Sequence, residues 1–158
     1  MKNLSIVVFM LLFIMLGFVS VQAQSVEQQI MDHLFNAELA QADSLIDIGI
    51  KQNPNQPKYY FMKAHFNFYM RYFTQRQFDR DSILQVIIDN GEKAVSFEDD
   101  IEETIENKFW LGSAYGLLSR AYVMKGELWD GYWAALDCED YLEDVLDEDP
   151  NYGDAYIG

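Results

Sequence analysis

Apolar residues recur at every third or fourth position from Val26 almost to the last residue, and nowhere do apolar and polar residues alternate long enough to build a strand. That single periodicity restricts the chain to helices packed on helices. It is punctuated at Asn53-Pro54-Asn55-Gln56-Pro57, at Gly126 and at Asp149-Pro150-Asn151. Proline removes an amide donor and disfavours helical geometry in the residue before it, so these are stops. The fold class is all-α.

The pattern predicts a first helix over 26–35, with Val26, Ile30 and Leu34 on one stripe, and a second over about 37–52 with Leu39, Ala42, Ile46, Gly49 and Ile50 inward. A third covers 58–73 and is the most aromatic part of the chain. Tyr59, Met62, Phe66, Met70 and Phe73 share one face, while Phe61, His65, Phe68, Tyr69 and Tyr72 share another. Only Lys63, Asn67 and Arg71 form a polar stripe, so this helix needs cover on two sides. A fourth helix is expected from Asp79 or Asp81, both good caps, to about Phe97, and a fifth from about Ile101 to Lys125. Gly112 and Gly116 lie four apart in the fifth. Each costs about 1 kcal/mol relative to alanine, which implies a partner helix too close for larger side chains. The sixth runs over about 128–147, with Tyr132, Ala135, Leu136, Leu142, Val145 and Leu146 expected to be buried, and residues 152–158 begin a seventh.

Ahead of these helices stand Lys2, an apolar run over 4–19 and Val21-Gln22-Ala23, the three parts of a secretory leader with cleavage after Ala23. The run is shorter than the roughly 20 residues of a membrane span, so removal is preferred to retention as an anchor. The mature protein is then exported, periplasmic or extracellular, with no stable membrane insertion, and residues 24–158 form one domain. Losing Lys2 takes the formal net charge from −15 to −16. A field of that sign repels nucleic acid and favours basic proteins or peptides where charge takes part. Cys138 is the only cysteine, so no internal disulfide is available, and its place on an amphipathic helix makes it a small packed side chain rather than a nucleophile.

No chemistry-bearing motif emerges. His33 and His65 lie on different predicted helices without another ligand at metal spacing, and no phosphate loop or nucleophile elbow is present. Asp147, Asp149 and Asn151 mimic the first three ligand positions of a calcium loop. The match fails because Gly153 is at position seven rather than six, Pro150 intrudes, and Gly158 stands where a glutamate belongs. No catalytic residue, metal or cofactor is expected. Two acidic runs, Glu98 to Glu103 and Asp140 to Asp149, fall near the ends of second helices and are expected to merge into a negative, solvated rim.

Leu111-Gly112-Ser113-Ala114-Tyr115 and Asp149-Pro150-Asn151 resemble the first helix and the closing turn of the tetratricopeptide repeat. Ala42, Ile46 and Asn53-Pro54 are similar to its second helix. The resemblance is to an exported bacterial protein of that type, and it implies a right-handed α-solenoid of antiparallel hairpins at about 26–52, 58–97 and 101–147. The start at 152–158 would belong to a further pair, as if the array were cut. Tetratricopeptide units repeat at about 34 residues, whereas Pro54 and Pro150 stand 96 apart, so the repeats would be elongated. The resemblance also implies a non-enzymatic scaffold that binds a protein or peptide along its first helices. The groove residues would be Phe61, His65, Phe68 and Tyr69 in the second hairpin, with Phe109 and Ser113 in the third. An alternative is a helical bundle that binds a small molecule in a pocket walled by the aromatics of 59–73 with Trp110, Trp129 and Trp133.

Overall fold

The structure, a computed structural model, describes residues 24–73 and 77–157; the predicted leader and its cleavage point lie outside them. Among the described residues there are six α-helices and no strand: α1 (Val26–Phe35), α2 (Leu39–Gln52), α3 (Pro57–Phe73), α4 (Gln77–Val95), α5 (Ile105–Lys125) and α6 (Leu128–Glu148). A 3-10 helix, Gly153–Ile157, follows. No helix among them is long and apolar enough to cross a membrane.

Local chemistry sets most boundaries. Ser25 and Gln28 form a reciprocal capping box at the start of α1, each backbone amide donating to the other's side chain at 3.2 Å. Helix α2 starts at Leu39 rather than at the expected Ala37, because Ala37 takes a left-handed φ of 57° that closes α1. Helix α5 starts at Ile105 rather than Ile101. The Thr104 hydroxyl accepts from the Asn107 amide at 3.1 Å and so fixes the cap four residues later. Gly126, at φ 91°, ends α5 in the conformation that glycine tolerates best. The seventh segment is a 3-10 turn rather than the start of an α-helix.

Consecutive helices pack antiparallel. Gly49 of α2 meets Tyr59 of α3 while Asp43 and Asp47 each accept from Lys63 Nζ at 2.7 Å, which fixes opposite directions. Tyr115 and Tyr122 of α5 donate to Glu98, just past the end of α4, and to Glu92 in its last turn, and Lys108 at the start of α5 reaches Glu148 at the end of α6. Helices α1, α3 and α5 run parallel, joined at their starts by Lys58, which bridges Glu27 at 2.7 Å and Glu106 at 3.3 Å. Helix α3 packs on α5 as well as on α2 and α4.

The core is two main clusters with α3 between them. One joins Tyr59, Met62 and Phe66 to Ile30, Ala42 and Ile46; the other joins Ala64 to Leu84, Ile87, Ile88, Leu117 and Leu118, with Phe61 and Phe68 half-buried against it. Both apolar faces of α3 are thus largely covered by neighbouring helices, and only its last turns, Tyr69, Tyr72 and Phe73, stand exposed.

The α5 glycines do what their spacing requires. Leu142 and Tyr141 of α6 lie against Gly112, and the Cys138 thiol lies against Gly116, where a Cβ would come within 2.9 Å of the sulfur. This contact corrects the expected inner stripe of α6. The buried residues are Gly131, Ala134, Cys138, Leu142 and Val145, whereas Tyr132 and Ala135 face outward. Close approach selects the small side chains at 131, 134 and 138, not the bulky Tyr132.

Candidate functional site

Helices α3 and α5 run side by side, so residues one turn apart on each come to face the same space. Phe61 and His65 from α3 and Phe109 and Ser113 from α5 line one cleft of about 220 Å3, whose further wall is Cys138 and Leu142 of α6. Four of the six groove residues named from sequence therefore meet. Phe68 and Tyr69 do not join them. Phe68 turns into the core against α4 and α5, and Tyr69 lines a separate apolar hollow of about 340 Å3 with Met31, Leu34, Phe35 and Phe73.

The cleft is aromatic at its base. Phe61 and His65 stack with ring centres 5.5 Å apart, Tyr69 meets the edge of His65 at 5.0 Å, and Phe61 also touches Trp110. Burial, and secondarily the positive charge of Arg120, hold the His65 imidazole below its ordinary pKa, so at neutral pH it offers a neutral donor and acceptor. Burial likewise pushes the Cys138 thiol up, which keeps it protonated and a poor nucleophile.

Arg120 and Asp154, both exposed, line the same cleft and were not singled out in the sequence. Arg120 was within reach, since it falls seven positions after Ser113 on the same face of α5. Asp154 was not, because its position depends on how the 3-10 turn docks Ala155 against Cys138, Leu142 and Val145.

The two acidic runs also meet. Glu98, Asp99 and Glu102 face Asp137, Asp140 and Asp144 across a hollow of about 510 Å3. Lys108 crosses it at one end, 3.3 Å from Asp144. Burial, then the nearby charges of Glu98 and Asp140, raise the Asp137 carboxyl above its usual range. Glu98 itself accepts from the hydroxyls of Tyr115 and Tyr141, both at 2.7 Å, and both phenols are pushed well above their ordinary value, chiefly by burial and then by that carboxylate. Among the described residues no group of three or more His, Cys, Asp or Glu is placed to hold a metal ion.

Trp129 and Trp133 stand apart from the cleft. They are 76% and 59% exposed, and each ring meets that of Tyr132 edge-on. Neither indole lines the cleft of Phe61, His65, Phe109 and Ser113. Compared with known proteins, the chain matches no family model, no curated protein and no solved structure.

Proposed function

We propose that this protein is an exported, non-enzymatic interaction scaffold, a right-handed α-solenoid of tetratricopeptide type that holds a protein or peptide along α3 and α5. The observation that carries the reading is the convergence of Phe61, His65, Phe109 and Ser113 on one cleft between parallel helices. Its size favours a polypeptide over a free small molecule. Sites that enclose drug-sized ligands run to about 300–1,000 Å3, whereas about 220 Å3 accepts one inserted side chain of something larger. The aromatic rings supply contact area and the neutral His65 and the Ser113 hydroxyl supply hydrogen bonds. A leader removed after Ala23 would deliver this surface to the periplasm or beyond the cell, and the net charge of −15 suits a partner with basic segments.

The test is selection of a displayed random peptide library against the full-length protein. Enriched peptides should lose binding when Ser113→Leu fills the cleft while the helical signal is kept. Failure to enrich any peptide, or binding indifferent to Ser113→Leu, would overturn the reading.

A further inference from the structure

Two opposite charges stand unpaired at one cleft. Arg120 of α5 forms no ion pair or hydrogen bond among the described residues, although the chain carries a formal net charge of −15 and Lys58, Lys63 and Lys108 on the same two helices are each held by carboxylates. Asp154, on the 3-10 turn, forms none either. Both line the cleft that holds Phe61, Phe109 and Leu142, yet they do not reach each other. Arg120 also lines the adjoining hollow of about 520 Å3, together with Glu139 and Glu143, and neither of those comes within ion-pair distance of it.

An arginine surrounded by carboxylates but held off all of them is an unpaired positive charge in an otherwise negative surface. Its planar fork suits a carboxylate in two-point contact. A wholly acidic ligand would meet Asp154, Glu139 and Glu143 beyond it, and like charges brought together cost affinity. A wholly basic one would meet Arg120. Only a ligand of alternating sign satisfies both.

Resting on the peptide-scaffold reading above, we propose that the cleft takes a polypeptide segment which inserts one apolar side chain between Phe61, Phe109 and Leu142. That segment sets an acidic side chain on one flank of the apolar one, against Arg120, and a basic side chain on the other, against Asp154. The apolar walls anchor it and the paired charges set its register and direction. The occupant is a polypeptide rather than a free zwitterion because the cleft encloses too little volume for a whole ligand with two separated charges.

Three capped synthetic peptides test this; their side chains in order are Glu-Phe-Lys, Gln-Phe-Gln and Lys-Phe-Lys, each separated by one glycine so that all three point the same way from an extended chain, within a glycine frame. Each is titrated to millimolar concentration into the labelled full-length protein, with amide and imidazole shifts of α3 and α5 as the readout. The Glu-Phe-Lys peptide should bind about tenfold more tightly than Gln-Phe-Gln, and Lys-Phe-Lys no better than the neutral one. Arg120→Gln should erase the advantage, and Arg120→Glu should turn the preference towards Lys-Phe-Lys with the protein still folded. If all three peptides bind alike and Ser113→Leu abolishes each of them, the charge pairing is overturned while the scaffold reading stands. If none shifts any α3 or α5 resonance, the inference is overturned, and the library selection then decides separately whether the scaffold reading falls with it.

Discussion

Replacing Gly49 by alanine sets two effects of opposite sign against each other, and the packing of α2 on α3 decides between them. In a helix interior the change is worth about 1 kcal/mol in favour of alanine. Here the added Cβ would lie 2.4 Å and 2.5 Å from two ring carbons of Tyr59 and 2.9 Å from a third. Carbon atoms in ordinary contact keep about 3.5–4.0 Å, so the ring must retreat by about 1 Å. It has nowhere to go, being 6% exposed and bounded by Ile30, Ala42 and Ile46, all fully buried. Overpacking of this kind costs about 1–3 kcal/mol, and three atoms in collision place it at the upper end. The net expectation is a loss of about 2 kcal/mol. With a urea slope of about 1–3 kcal/mol/M, the unfolding midpoint, followed by far-UV circular dichroism, should fall by roughly 1 M. In a Tyr59→Leu background the same change should cost little or become stabilising, since the colliding ring is gone, and the double-mutant cycle isolates that coupling. A Gly49→Ala protein more stable than the parent by about 1 kcal/mol would show that propensity alone operates there, and would refute the close α2–α3 approach.

Glu98→Gln removes the carboxylate that accepts from Tyr115 and Tyr141, and should cost about 1 kcal/mol in thermal unfolding because Glu98 is exposed; it should also let both phenols ionise at lower pH in a spectrophotometric titration. Arg120→Gln should raise the His65 midpoint followed by proton shifts, without restoring it fully, because burial, the larger cause, remains. A base held below its unfolded pKa takes up protons on unfolding. His65 should therefore destabilise the fold as pH falls from about 6.5 towards its folded value, and His65→Gln should flatten that part of the stability profile. Trp129→Ser and Trp133→Ser should each change stability by no more than about 0.5 kcal/mol in chemical denaturation, since both side chains are largely in solvent.

Much of this architecture is legible in the sequence because period, proline stops and close-packed glycines are local signals. The six helices follow from them, and Gly112 and Gly116 announce the tight contact with α6. What escapes is set by contacts between distant residues or by backbone detail. Ala37 adopts a positive φ that no propensity scale assigns to it, which delays α2. The stripe of α6 is rotated because Gly116 admits the Cys138 thiol, and periodicity alone cannot tell which of two neighbouring apolar lines faces inward. Phe68 is a groove residue in what the resemblance implies, but it packs against the α4 side of the core instead. Of the cleft residues, Phe61, His65, Phe109 and Ser113 were accessible from the resemblance. Arg120 required following the α5 face a further turn, and Asp154 required knowing the fold of the last described turn.

The most direct test of the scaffold account is a crystal structure of the protein with the most enriched peptide from the library selection. The account predicts an extended chain lying along α3 and α5 with one apolar side chain seated among Phe61, Phe109 and Leu142. A peptide found instead on the Trp129–Trp133 surface or in the acidic hollow, with the cleft left empty, would contradict it.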